Sequence, residues 1–185
     1  MDEYVSQMRT GNLLLVTCCI FYLIWWSVAF NPNKDFSMTL KVILFICTLA
    51  PGVFGVLDMV QGVSGLPHTR DGISNTAIVV IGVICYVVLL FLTYMLMHRQ
   101  VTTELALIVG WTALEICAAS SLYQAESIEM GATVACVIIT IVAAVIGMVC
   151  YLAYYNLEAT VAFYDGMVPL ILFGVAMAVE TLAIW

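Results

Sequence analysis

The sequence predicts an all-α integral membrane protein, built as a bundle of six transmembrane helices. Of its 185 residues, 64% are hydrophobic and only 9% are charged, whereas a soluble domain is about half apolar and about a quarter charged. Its 5 Lys and Arg and 12 Asp and Glu residues cannot cover the surface of a soluble globule. The composition therefore excludes a soluble fold, a nucleic-acid-binding protein, which needs a basic face, and a disordered chain, which needs low hydrophobicity.

Six apolar stretches are long enough to cross a membrane, which takes about 20 mostly apolar residues in helical form. Long continuous runs do not fit a transmembrane β-barrel, whose strands alternate over about ten residues. The connections are short and carry turn residues, so residues 1–185 form a single transmembrane domain. The predicted spans are 12–30, 38–60, 76–97, 104–123, 131–155 and 166–185.

Particular residues mark three of these spans. Trp25 and Trp26, near the end of span one, favour a membrane interface. Pro51 with Gly52 inside span two predicts a helix that is discontinuous and supplies backbone ligands, as in transporters, with a kink tolerated for packing as the alternative. Pro169 falls in the first turn of span six, where proline costs little, and marks a helix start.

A weak internal repeat relates the two halves of the chain, residues 12–97 and 104–185. An offset of 93 residues places span one on span four and pairs Ser27 with Ser120. Because each half would hold three spans, the halves would be inverted relative to each other, which is a common plan of secondary transporters. Chance agreement between two apolar segments is the alternative.

Glu115 is the most deeply placed charge, since it lies more than about 10 Å from either end of span four. An acid at the bilayer centre costs roughly 2.5 to 3.5 kcal/mol, so it usually faces a bundle interior or a water-filled path. Trp111 and Thr112 share its helical face. Lys, Arg and His residues lie outside the spans or at their margins, so we expect Glu115 to load and release a proton or to accept a cation. A protonated Glu that hydrogen-bonds a neighbouring helix is the alternative.

Asp58 and Glu180 are two further acids, near the ends of spans two and six. An even number of spans places both termini on one side, and these two span ends then face that side too. The sequence therefore predicts that Asp58 and Glu180 line a common vestibule, unless both simply reach the membrane interface.

The sequence predicts neither a metal nor a cofactor. His68 and His98 flank span three and would lie on opposite sides of the membrane, so they cannot share one haem or zinc ion. The seven cysteines form no C-x-x-C pair, and no nucleotide-binding or hydrolase motif is present. An enzyme that acts on lipid headgroups through His68, Arg70 and Asp71 is conceivable, but a solvated loop is the simpler interpretation.

These observations favour a small transporter or channel for a cation or small polar solute. A membrane-embedded substrate-binding subunit of a larger transporter is the first alternative, and an integral-membrane enzyme is the second. We expect the chain to reside in the cell membrane, in contact with the lipid bilayer, and to form a homo-oligomer or join a membrane complex. Nucleic acid is not an expected partner. The candidate substrate- or ion-binding residues are Glu115, Asp58, Glu180, Trp111, Thr112, Pro51 and Gly52.

Overall fold

The computed structural model describes residues 2–97 and 103–184, with the side chains of residues 96 and 97 excepted, and every regular element in these ranges is an α-helix. Six helical segments are long and apolar enough to cross a membrane, which confirms a six-helix, multi-pass membrane bundle. His98 lies outside the described residues. The helices are α1 (Asp2–Ala29), α2 (Met38–Gly65), α3 (Asn75–Met97), α4 (Thr103–Gln124), α5 (Met130–Tyr154), α6 (Ala159–Asp165) and α7 (Met167–Ala183).

Five helices form a closed ring. α1 packs along α2 and α7, α5 packs on α7 and α4, and α2 touches α4. α3 lies outside this ring and packs mainly on α4. The outer face of α3 exposes large apolar side chains such as Ile81, Val83 and Phe91, and a lipid bilayer is the environment that covers such a face.

The first two helices are longer than predicted. α1 begins at Asp2, ten residues before the predicted span, and α2 continues to Gly65, five residues beyond it. Met8 of this early segment is completely buried, and it packs where a side chain on Gly62 would otherwise lie. The predicted limits were wrong because hydropathy marks only the lipid-facing part of a helix, whereas packing against a neighbour extends it.

Glycines allow α1 and α2 to approach closely. A Cβ on Gly11 would lie 2.9 Å from both the Gly55 carbonyl oxygen and the Met59 backbone nitrogen. A Cβ on Gly55 would lie 3.0 Å from the Gly11 carbonyl oxygen and 2.9 Å from Leu15 Cγ. The two backbones are therefore in direct contact, as small residues allow in membrane helices.

The sixth span is also longer than predicted, because it includes α6 and runs from Ala159 to Ala183. A break at Gly166 separates α6 from α7. Pro169 has no N–H for the carbonyl of Asp165 four residues earlier, so one helical hydrogen bond is missing there. Trp26 packs against Gly166 and its indole donates to the Phe163 carbonyl at 3.0 Å. Trp26 thus connects α1 to the junction of α6 and α7.

The connection between α2 and α3 is held on the C-terminal end of α4. The Gln124 carbonyl accepts hydrogen bonds from the backbone N–H groups of Thr69 and Arg70, each at 3.0 Å, and from the Thr69 hydroxyl at 2.7 Å. The Gln124 side chain, only 4% exposed, bonds the His68 ring and donates to the Ile73 carbonyl. These hydrogen bonds give a partner to the Gln124 carbonyl, because the last carbonyl groups of a helix have none within the helix.

Replacing Gln124 by leucine is expected to lower the free energy of unfolding by about 1 kcal/mol, because His68 and the Ile73 carbonyl lose a partner. Thermal unfolding of the purified protein in detergent measures this change. Gln61→Leu is the matched control, since Gln61 accepts one hydrogen bond, from Gln7, at an exposed position. An equal loss of stability in both variants would contradict the anchoring role of Gln124.

Candidate functional site

Two acidic side chains from different helices meet inside the ring. Glu115 lies near the middle of α4 and is 1% exposed, and Glu180 lies near the end of α7 and is 3% exposed. The two carboxyl groups are close neighbours, yet neither Glu115 oxygen, nor Oε1 of Glu180, makes a well-formed hydrogen bond within the described residues. Two like charges this close cannot both persist in a dry interior, so the pair must hold at least one proton or an external cation.

The sequence around Glu115 explains how another helix can approach it. Ala118 and Ala119 follow on the next turn and are both completely or almost completely buried. Small residues of this kind allow a neighbouring backbone to come near. Glu180 is equally enclosed, so its side chain points into the bundle and not toward its outer surface.

A pair of aromatic rings borders the two acids. Trp111, one helical turn before Glu115, stacks on Phe173 of α7 with ring centroids 4.2 Å apart and ring planes 21° apart. The Trp111 indole lies beside the Glu115 carboxyl group, although its Nε1 atom is buried without a well-formed hydrogen bond in the described part of the chain. The indole N–H is thus available to stabilise a charged Glu115.

Side chains from two further helices face the same region. Cys19 of α1 lies within electrostatic range of Glu115, and Cys136 of α5 lies within range of both acids. The site is therefore built from α1, α4, α5 and α7. Across residues 2–97 and 103–184, no three or more His, Cys, Asp and Glu side chains form a cluster that could hold a metal ion.

Two other residues predicted for the site, Thr112 and Asp58, have no contact with the two acids among the hydrogen bonds and charge interactions of the described residues. The Thr112 hydroxyl donates to the Ile108 carbonyl of its own helix at 2.7 Å. Asp58 is half-buried on α2, seven residues before the helix ends, and it is not among the neighbours that act on the charge of Glu180. The structure brings Glu180 to Glu115, and the common vestibule of Asp58 and Glu180 stays a prediction.

Pro51 and Gly52 lie within a helix that is continuous from Met38 to Gly65. The expectation of a discontinuous helix is therefore wrong. Gly52 faces α1, where an added Cβ would lie 3.0 Å from the Cys18 sulfur. Gly52 therefore lets α1 approach α2 at this point.

Asn12 is a buried polar residue that sequence reasoning did not select. It is 0% exposed, and both its amide oxygen and its amide nitrogen are without hydrogen-bond partners in the described residues. The available signal was its spacing, because Asn12 and Cys19 are seven residues apart and so share one face of α1.

The polar residues of the loop before α3 are largely engaged elsewhere. His68 bonds Gln124, and the Arg70 guanidinium lies over the Tyr123 ring at 5.5 Å and 3.8 Å from a Glu126 oxygen. These contacts favour a role in holding the loop on α4 over catalysis on a lipid headgroup.

Comparison with known proteins does not identify a family. No family model matches the chain, and no curated protein and no solved structure matches it.

Proposed function

We propose that the protein is a small membrane transporter for a cation or small polar solute, in which the pair Glu115 and Glu180 carries a proton or a cation. The observation that supports this proposal is the meeting of two buried carboxyl groups without a Lys, Arg or His among the described groups that act on their charge. Intramembrane acids in such surroundings are typical of ion and proton pathways.

The chemistry follows from the charge of the pair. With both groups protonated the pair is neutral, and loss of one proton leaves a single negative charge inside the bundle. A cation about 4 Å away recovers roughly 4 kcal/mol at an effective dielectric constant near 20. Protonation and cation binding are therefore competing ways to neutralise the same site.

The enclosure of the pair favours a transporter over an open channel. Both acids are almost fully buried, so a solute reaches them only when the helices around them move apart. Opening to one side at a time is the alternating-access mechanism of secondary transporters. Assembly with further copies, or with another membrane subunit, would widen the small interior of one bundle.

Flux in liposomes tests this proposal. The purified protein is reconstituted with a pH-sensitive dye inside the vesicles, and proton movement is followed after a gradient of an inorganic cation or small polar solute is imposed. We expect flux above that of empty vesicles, and at least about a 100-fold loss in Glu115→Gln, which removes a charge stabilised in a low-dielectric site.

Glu104→Gln is the matched control, because Glu104 is an exposed acid at the start of the same helix. It is expected to retain the flux of the unaltered protein. Proton flux equal to that of empty vesicles under every gradient would overturn the proposal, and so would equal flux in Glu115→Gln and the unaltered protein.

A further inference from the structure

The contacts between α1 and α7 show which residues of the two helices lie at the same height, and they therefore give the height of Asn12. Trp26 of α1 packs on Gly166, and the Cβ of Cys19 lies 3.4 Å from the position of a Cβ on Gly174. Moving back along α1 thus corresponds to moving forward along α7, so the helices are antiparallel. Seven residues separate Trp26 from Cys19, and eight separate Gly166 from Gly174.

The same register places Asn12 at the depth of Glu180. Asn12 lies seven residues before Cys19, and Glu180 lies six residues after Gly174. At about 1.5 Å per residue, these steps are about 10 Å and about 9 Å in the same direction. Asn12 is seven residues from Cys19, which packs on α7 at Gly174, so Asn12 lies on the side of α1 that faces α7, the helix of Glu180.

A completely buried amide without a hydrogen-bond partner indicates a place where a ligand binds. Asn12 is 0% exposed and both its polar atoms are unpaired among the described residues, although buried polar groups are almost always hydrogen-bonded. Neither acid supplies that partner, since the oxygens of Glu115 are unpaired as well. A ligand between them would satisfy the amide and the carboxyl groups together.

We propose that Asn12, Glu115 and Glu180 form a binding site for one small monovalent inorganic cation of the Na⁺ class, an inference that rests on the proposed function. The oxygens of an amide and of two carboxyl groups are the ligands that hard cations prefer. The surroundings are tightly packed, with Ala118 and Met177 at most 2% exposed. Such a site suits a bare ion of low charge, because Mg²⁺ keeps several waters and Ca²⁺ takes six to eight oxygen ligands.

The exchange balances in charge. The empty site holds two protons, one on each carboxyl group, and is neutral. When one monovalent cation enters, one carboxyl group loses its proton to solvent, and the site with one proton and one cation is again neutral. Among the described residues, the thiols of Cys19 and Cys136 lie near the two acids, and Asp58, half-buried on α2, adjoins Met59, which contacts Gly11 beside Asn12. Arg9 lies one turn from Asn12 on α1 and has an interaction of its own.

Proton release on cation binding tests this inference. Purified protein in detergent is held in weak buffer with a pH indicator, and NaCl is added, with choline chloride at equal ionic strength as the blank. We expect release of up to one proton per chain with NaCl and none with choline chloride. LiCl and KCl report the selectivity of the site among monovalent cations. A response to MgCl₂ at lower concentration than to NaCl would show that the site does not prefer monovalent cations.

Asn12→Leu is expected to raise the NaCl concentration for half-maximal release at least about tenfold, because a neutral oxygen ligand is removed. Asn156→Leu is the matched control, since Asn156 is an exposed amide in the turn after α5 and, among the described contacts, it bonds only the end of that helix. Asn12→Asp retains a side-chain oxygen and is expected to retain binding even if Asn12→Leu fails to fold. Unchanged release in a folded Asn12→Leu, or loss of release in a folded Asn12→Asp, would overturn the role of Asn12.

The outcomes separate this inference from the proposed function. If liposome flux depends on Glu115 but NaCl releases no protons, the Na⁺-class site is wrong and the transporter proposal stands. If neither flux nor proton release is seen, both are wrong.

Discussion

Glutamine in place of either buried acid, in E115Q or in E180Q, is expected to reduce coupled flux in liposomes at least about 100-fold. Either change removes a carboxyl group that carries the proton or cation, and the interaction of that group with a cation is strong in a low-dielectric site. The double variant E115Q/E180Q is expected to be no worse than either single variant. Groups that act as one unit show such non-additive losses. The measurement is the initial rate of dye-reported proton movement in vesicles holding equal amounts of protein.

The same double variant is expected to be at least as stable as the unaltered protein. Two adjacent buried carboxyl groups must be kept protonated at neutral pH, which costs free energy of folding, whereas two amides are neutral and can donate to and accept from each other. Thermal unfolding in detergent measures this change, with Glu104→Gln as the exposed-acid control. Losses of flux that multiply in the double variant would show that the two acids act separately. An unfolding temperature clearly below that of the control would contradict the cost of burying the two carboxyl groups.

The acid pair shows which part of a membrane site a sequence can predict. The depth of Glu115 followed from counting residues along an apolar span, and the structure buries its side chain in the bundle. Its neighbour could not be predicted, because hydropathy gives the depth of a residue but not the order of helices around it. Glu180 was therefore grouped with Asp58 alone, and its contact with Glu115 of α4 was not predicted.

Helical periodicity was informative for one neighbour of Glu115 and misleading for another. Trp111 and Thr112 share its face, and the Trp111 indole does lie beside its carboxyl group. The Thr112 hydroxyl instead bonds the carbonyl four residues earlier, a local partner that is always within reach of a threonine in a helix. Shared periodicity therefore gives the direction of a side chain but not its hydrogen-bond partner.

The number of spans was predictable because the bilayer sets a minimum length for every crossing helix. The ends were not, because contacts between helices hold residues that hydropathy assigns to loops, as with Met8. The inverted repeat stays a prediction. Its proposed halves differ in one respect, since α5 packs firmly on α7, whereas α2 packs on α3 slightly at most in the described residues.

Alanine in place of Gly11 is expected to lower the free energy of unfolding by about 3 kcal/mol, because its Cβ would lie 2.9 Å from backbone atoms of both Gly55 and Met59. Backbone atoms cannot rotate away, so α1 and α2 must separate along their shared interface. Thermal unfolding in detergent measures the loss. Gly110→Ala is the matched control, since a Cβ there meets no described atom within 4 Å, and helix propensity favours alanine by about 1 kcal/mol. Equal unfolding temperatures for the two variants would mean that the close contact between α1 and α2 does not hold the bundle together.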